Sequence, residues 1–279
     1  MTATGCPNTV GAVVAALERA YPPEFAESWD AVGLVCGDPA EPARRVMFCV
    51  DVVAATVEQA IAEGAQMIIA HHPLLLRGVH GVPANSTKGR IVHRLIRANV
   101  ALFCAHTNAD SADPGVSDAL AQALGLHDLR PLEPRAATPE LGIGRVGELA
   151  ESEALSAFAA RVAAALPATS GGVRVAGDPD RPVRRVAVCG GAGDTLFGAV
   201  RSSGADVYVT ADLRHHPASE ALEAGGPALV DVAHWASEWP WLNHAAEMLR
   251  SELGPAGTNV DTYVSTLVTD PWTAHLAVG

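Results

Sequence analysis

Short apolar runs alternate with amphipathic segments along this chain, and that alternation restricts the fold more than any other feature of the sequence. In the first half, apolar and β-branched residues predict strands over "RVMFCVDV" (45–52), "QMIIA" (66–70) and "VALFCA" (100–105). Helical periodicity predicts helices over 56–65, 88–99 and 115–126. This order is typical of a mainly parallel α/β sheet, because parallel neighbours need a long crossover between them.

The same alternation starts again in the second half of the chain. Strands are predicted over 184–193, 206–212 and 228–233, with helices over 195–205, 218–225 and 237–253. The residues between the halves are rich in proline and glycine around one apolar helix, "EALSAFAARVAAAL" (153–166). We therefore expect a first α/β lobe over residues 1–126, a connecting segment over 127–180 and a second α/β lobe over 181–279.

The two halves resemble one another in sequence, which predicts an internal duplication. "TVEQAIAEGAQMIIAHHP" (56–73) matches "TLFGAVRSSGADVYVTADLRHHP" (195–217) in its threonine, amphipathic helix, Gly-Ala step, apolar strand and final His-His-Pro. "ALFCAHTNAD" (101–110) matches "ALVDVAHWASE" (228–238), and each has a carboxylate four residues after its histidine. The fold expected from the residues is thus two related α/β lobes with mixed, mainly parallel sheets.

Histidines and carboxylates follow the predicted strands in both halves. They are His71, His72, His106, Asp110, His234 and Glu238, with His215 and His216 nearby. Ligands of open α/β sheets bind beyond the carboxyl ends of the strands, so we expect these side chains at one edge. Imidazole and carboxylate suit a divalent metal ion, and the set exceeds the needs of one four-coordinate ion. Two ions about 3.5–4 Å apart would use them and would lower the pKa of a bound water.

Some of these histidines have more than one interpretation. His71 and His72 would also suit an exposed loop, although the apolar strand before them and Pro73 after them favour a placed site. His106 is either a direct ligand or a group that orients a ligand. His215 and His216 follow an insertion relative to the first copy, which favours proton transfer or substrate contact over metal binding.

Charge and hydropathy exclude several classes of function. The formal net charge is −12 and Lys88 is the only lysine, so the sequence has no cation cluster of the kind that binds nucleic acid. No apolar run is long enough to span a membrane, and the N-terminus lacks the pattern of a signal peptide. The five cysteines include no CxxC pair and are expected to be buried thiols. These features together predict a cytoplasmic protein.

Several blocks of the sequence resemble the NIF-three-like dinuclear-metal family, also labelled type-two homologues of GTP cyclohydrolase I. The matching stretches are "SWDAVGLVCGDP" (28–39), "IIAHHPLLLRG" (68–78), "KGRIVHRLIRANVALFCAHTNAD" (88–110), "GGAGDTLFGAVRSSGADVYVTADLRHH" (190–216) and "DVAHWASEWPWL" (231–242). The resemblance implies a di-metal site between two facing lobes and a homohexamer built as paired trimers. It implies as metal ligands His71, His72, Asp110, His234 and Glu238, with His106 beside them.

The residues and the resemblance lead to one functional expectation and one rival. We expect a hydrolase that uses two divalent ions per chain (Zn, Mn, Fe or Mg) on a nucleotide or another phosphorylated small molecule, with GTP ring opening suggested by the family label. Candidate proton shuttles are His216, His215 and His106, and candidate anion contacts are Arg77, Lys88 and Arg214. The rival is a non-enzymatic, metal-stabilised ring that acts as a scaffold or regulator.

Overall fold

The computed structural model describes residues 8–254 and 260–276. Its strands are β1 (Gly33–Cys36), β2 (Arg45–Cys49), β3 (Met67–Ala70), β4 (Ala101–Cys104), β5 (His127–Pro134), β6 (Gly142–Ala154), β7 (Arg174–Ala176), β8 (Pro182–Ala192), β9 (Val207–Ala211), β10 (Ala228–Val232) and β11 (Asp261–Val264). Its α-helices are α1 (Val10–Ala20), α2 (Ala54–Ala62), α3 (Thr87–Arg97), α4 (Thr107–Ser111), α5 (Val116–Ala123), α6 (Leu155–Ala165), α7 (Phe197–Ser203), α8 (His215–Glu223) and α9 (His234–Leu253). Short 3-10 helices cover Pro23–Phe25 and Asp194–Leu196. The expected α/β class is confirmed.

The first sheet has five strands in the order β1-β4-β3-β2-β11. Strands β4, β3, β2 and β11 are parallel, and β1 joins β4 in the antiparallel sense. Both faces of β3 are buried, as its uninterrupted apolar run requires. Val57 of α2 and Leu95 of α3 pack in the same core cluster as Ile68 of β3. The crossover helices therefore cover the sheet, and the residues after β3 and β4 emerge at a common edge.

The second sheet has six strands in the order β5-β6-β8-β9-β10-β7. Its centre is parallel, from β8 through β9 to β10, whereas β5, β6 and β7 are attached by antiparallel pairings. Both sheets are therefore mixed. Residues 127–180, which we expected to form a connection, supply three of these strands and α6.

The chain divides into two compact units. The first unit is Met1–Ala109 with Leu242–Thr269, and the second unit is Asp110–Trp241 with Asp270–Gly279. Strand β11 pairs in parallel with β2 and so belongs to the first sheet. The expected boundaries after residues 126 and 180 stay a prediction. The matched segments "ALFC" and "ALVDV" are β4 and β10, each a parallel neighbour of the preceding strand of the repeat. The internal duplication itself stays a prediction.

None of the helices within the described ranges combines the length and the apolar character needed to cross a membrane.

Candidate metal centre

Three histidines of the first unit lie together at the carboxyl edge of its sheet. His71 and His72 follow β3 and His106 follows β4, its parallel neighbour. The ring centroids of His71 and His72 are 5.1 Å apart, and those of His71 and His106 are also 5.1 Å apart. One ligand nitrogen from each ring lies within 4.8 Å of the others, a spacing at which the three could hold a metal ion. We call this group the three-histidine cluster.

Each ring in the three-histidine cluster is anchored through Nδ1 to an oxygen acceptor. His71 Nδ1 donates to the backbone carbonyl of Ala105 at 2.9 Å. A carbonyl oxygen only accepts, so the proton of the neutral ring is assigned to Nδ1 and the lone pair to Nε2. His72 Nδ1 lies 2.7 Å from Asp51 Oδ1. Metal-binding histidines are commonly oriented by such a contact at the other ring nitrogen.

Asp30 anchors the third ring and the backbone behind it. Its side chain is fully buried, and its Oδ1 accepts from His106 Nδ1 at 2.9 Å. Its Oδ2 accepts from the backbone N–H of Thr107 at 3.0 Å and from the Thr107 hydroxyl. Burial alone would raise the pKa of Asp30. The hydrogen bonds from His106 and Thr107, together with the charge of His106, outweigh burial and hold the pKa well below its usual range. Asp30 is therefore a carboxylate near neutral pH and fixes the tautomer of His106.

The second unit contains a histidine and a glutamate one helical turn apart. His234 follows β10 and opens α9, which places Glu238 on the same face at i+4. His234 Nε2 is 3.0 Å from Glu238 Oε1, and His234 Nδ1 is 2.7 Å from Asp212 Oδ2. Both ring nitrogens of His234 thus lie within hydrogen-bond distance of a carboxyl oxygen. We call these two residues the His234–Glu238 pair.

Gly191, near the end of β8, makes room for the His234–Glu238 pair. A Cβ added at this position would lie 2.5 Å from Glu238 Oε1 and 3.1 Å from His234 Nε2. Its φ of +71° is also one that side chains rarely adopt. The Gly191 N–H donates to the Ser237 hydroxyl at 2.8 Å, which holds the strand against the start of α9. Only glycine fits here without displacing the side chains of His234 and Glu238.

Asp110 and Glu238 both influence the buried thiol of Cys189 in the second unit. The pKa of the Cys189 thiol is raised to about 12 by burial and then by the charges of Asp110 and Glu238. Both carboxylates therefore act on one buried atom. His234 and Glu238 are in contact in the second unit, and metal ligation by Asp110 stays a prediction.

The other candidate residues lie on the surface. His215 and His216 begin α8, are exposed, and have ring centroids 5.1 Å apart. Arg77 and Lys88 are exposed in the first unit. Arg214 is exposed and forms an ion pair with Asp194. Within the described ranges, none of these residues belongs to a group spaced to hold a metal ion, and their proposed roles stay predictions.

Four residues that lie next to the proposed ligands were not predicted from the sequence. These are Asp30, Asp51, Asp212 and Gly191. Asp51 and Asp212 follow β2 and β9 closely, so the rule that polar residues gather at strand ends would have found them. Asp30 had no such signal, because it lies in a loop 76 residues before the ring it anchors.

The donor set fits a divalent metal ion. It combines neutral imidazoles with carboxylates, the ligand types preferred by borderline ions such as Zn, Mn and Fe. The carboxylates beside the histidines hold their rings in ligating tautomers, and Gly191 leaves the space that the second unit's ligands need. The histidine and glutamate side chains of the structure could therefore hold a metal ion.

The chain is similar to known proteins over nearly its whole length. Residues 8–271 match the model of the family Duf34/NIF3 (NGG1p interacting factor 3). A Streptomyces coelicolor protein named GTP cyclohydrolase 1 type 2 homolog is 53% identical over 267 residues, which cover 95% of this chain and 94% of the relative. The crystal structure of a Bacillus cereus protein related to NIF3 superposes with a TM-score of 0.88 at 26% identity, covering 95% of this chain and 98% of that one.

A Staphylococcus aureus hypothetical protein has the same fold, with a TM-score of 0.88 at 28% identity over 97% of this chain and 100% of that chain. The family model spans nearly the whole sequence, and the relatives are matched over nearly their whole length. The resemblance predicted from the sequence motifs is confirmed, and the chain belongs to the Duf34/NIF3 family.

Proposed function

We propose that this protein is a hydrolase that uses two divalent metal ions and acts on a nucleotide or another phosphorylated small molecule. The ligands would be His71, His72, Asp110, His234 and Glu238, with His106 as an additional ligand. The substrate class follows the name of the relatives, GTP cyclohydrolase 1 type 2 homolog, and GTP ring opening is the first reaction to test.

One observation carries the proposal. All four histidines in the two groups have Nδ1 next to an oxygen acceptor, at 2.7–2.9 Å. Anchoring one nitrogen leaves the other in a set direction, which is the preorganisation that a metal centre requires. Histidines in exposed loops without a common function would not be expected to have all four rings anchored in this way.

The chemistry divides between the ions and the side chains of the chain. Divalent ions supply Lewis acidity and lower the pKa of water, which makes hydrolysis accessible near neutral pH. Asp30, Asp51 and Asp212 hold the ligand rings in place. His215 and His216 are exposed imidazoles suited to moving a proton, and Arg77, Lys88 and Arg214 would contact anionic groups of the substrate.

Metal content and turnover test this proposal. The purified protein should contain two metal equivalents per chain, and His71→Ala and Glu238→Ala should each lower that content. His127→Ala is a matched control, because His127 is also paired with an aspartate but lies exposed at the surface. Turnover should then be measured with Zn, Mn, Fe and Mg on GTP and on a panel of phosphoesters. Absence of metal from the wild type, or turnover unchanged in both ligand variants, would refute the proposal.

The quaternary state is a further part of the proposal. We infer a homohexamer of paired trimers from the family resemblance. Light scattering on the purified protein should give six times the chain mass of 28.8 kDa. A monomer or dimer at micromolar concentration would contradict this.

A second candidate function is that of a metal-stabilised scaffold or regulator. The family name, NGG1p interacting factor 3, favours this alternative. It predicts metal uptake that depends on His71 and Glu238 together with no turnover on any substrate of the panel.

A further inference from the structure

A cleft of about 490 Å³ lies within the second unit, beside the His234–Glu238 pair. Its volume falls in the range of roughly 300–1,000 Å³ that is common for small-molecule pockets. The polar and aromatic residues that line it are Arg174, Asp212, Asp231, His234, Asp270, Trp272 and His275. We call it the C-terminal cleft, because Trp272 and His275 come from the end of the chain.

His234 belongs both to the cleft and to the proposed metal site. Its ring lines the cleft, its Nε2 lies 3.0 Å from Glu238, and its Nδ1 lies 2.7 Å from Asp212, a second lining residue. A molecule bound in the C-terminal cleft would therefore lie against a proposed metal ligand. This position is where a substrate group next to the reacting atoms would be held.

Trp272 gives the cleft an aromatic surface. The residue is 70% exposed although it lines a concave site. Tryptophan is highly buried on average, so a ring left this exposed in a cleft has apolar area available for a ligand. Its flat face suits another planar ring, and stacking of a base on an aromatic side chain depends little on which base it is.

The polar wall of the cleft is fixed by internal contacts. Arg174 Nε donates to Asp231 Oδ2 at 2.8 Å, and the other oxygen of Asp231 accepts from the backbone N–H of Leu213 at 3.0 Å. The Arg174 side chain is nevertheless 71% exposed. The wall thus presents an exposed guanidinium that is oriented by a buried carboxylate, and the guanidinium can donate to acceptors on the edge of a heteroaromatic ring.

We propose that the C-terminal cleft binds the heteroaromatic base of a nucleotide substrate, with the base stacked on Trp272 and its edge facing the Arg174–Asp231 wall. This inference rests on the proposed function, since it names the part of the substrate that the second unit holds. Trp272 is then a binding residue for the base, and metal binding does not depend on it.

Equilibrium binding to the metal-loaded protein tests the inference. The probes are guanosine 5′-monophosphate and ribose 5-phosphate, which lacks the base. Trp272→Ala should weaken binding of the nucleotide by about tenfold, within the roughly 1–3 kcal/mol range of base stacking on aromatic residues. It should leave ribose 5-phosphate binding and metal content unchanged. Trp272→Phe keeps an aromatic face and should bind the nucleotide nearly as the wild type does.

The outcomes separate this inference from the proposed function. Nucleotide binding equal in Trp272→Ala and the wild type overturns the inference alone, as does an equal loss for ribose 5-phosphate. A change of oligomeric state in Trp272→Ala also overturns it, because the ring would then serve contacts between copies of the chain. A wild-type protein that binds metal but does not bind guanosine 5′-monophosphate overturns the proposed substrate class as well.

Discussion

Removing the charge of Asp212 tests whether the His234 ring is held as a metal ligand. His234 Nδ1 lies 2.7 Å from Asp212 Oδ2 in the wild type. Asp212→Asn keeps an oxygen that can accept from this nitrogen but removes the carboxylate charge. Asp212 has a φ of +55°, a conformation that asparagine tolerates well among residues other than glycine. The substitution therefore changes the electrostatics of the ring with little change in backbone strain.

The size of the effect follows from the surroundings of Asp212. Losing a group that orients a ligand commonly lowers metal affinity about 10–100-fold, or roughly 1.4–2.7 kcal/mol. The Asp212 side chain is 60% exposed, so water screens its charge and we expect the lower end of the range, about tenfold. Its exposure also predicts a change in the free energy of unfolding within about 0.5 kcal/mol.

Asp128→Asn is a closely matched control. Asp128 also has a φ of +55° and also lies next to a histidine Nδ1, that of His127 at 2.9 Å, but on an exposed surface. The assay is competition for zinc between apoprotein and a chromophoric chelator, with urea unfolding as the check on stability. Asp212→Asn binding zinc within twofold of the wild type would refute the reasoning, and so would an equal loss of affinity in Asp128→Asn.

Three further predictions concern the packing around the site and the two sheets. Gly191→Ala should abolish most metal uptake and destabilise the fold by about 1–3 kcal/mol, because the new Cβ would lie 2.5 Å from Glu238 Oε1. Metal analysis and urea unfolding measure the two effects, and unchanged metal content would contradict the prediction. Arg145→Met should lower the free energy of unfolding by about 3–5 kcal/mol, because it leaves Asp118, bonded at 2.7 Å, as a buried charge without its partner; a urea midpoint close to that of the wild type would disprove this. Burial raises the pKa of Tyr263 to about 12, so the folded protein holds the phenol proton more tightly than the unfolded chain does. The resulting stability is complete below pH 10 and is lost as the pH rises towards 12. Between pH 9 and 12 the free energy of unfolding should therefore fall less in Tyr263→Phe than in the wild type.

The sequence predicted those parts of the fold that depend on local patterns. The strand expected over 66–70 is β3 at Met67–Ala70, and the one expected over 206–212 is β9 at Val207–Ala211. Buried parallel strands are short apolar runs followed at once by polar residues, so their ends are visible in one sequence. The grouping of His71, His72 and His106 followed from the same rule, because β3 and β4 are consecutive parallel neighbours.

Features that depend on distant pairing were not predictable in this way. β11 pairs with β2, from Asp261↔Arg45 to Val264↔Phe48, although more than two hundred residues separate the two strands. Nothing in the period of an apolar run names its partner strand. Residues 127–180 were expected to form a connection, but β6 within them pairs with β8, a partner that the apolar pattern of β6 does not specify.

The anchoring of Nδ1 also bears on whether His106 binds metal directly or orients another ligand. An orienting histidine would turn its remaining ring nitrogen towards the ligand that it supports, because the Nδ1 of His106 is already bonded to Asp30 at 2.9 Å. His71 and His72 use Nδ1 in the same way, and all three rings present ligand nitrogens to one another within 4.8 Å. His127 shows that an aspartate at Nδ1 is insufficient alone, since its exposed ring has no such group of neighbours within the described residues. The combination of an anchored Nδ1 with convergent rings therefore favours direct ligation by His106.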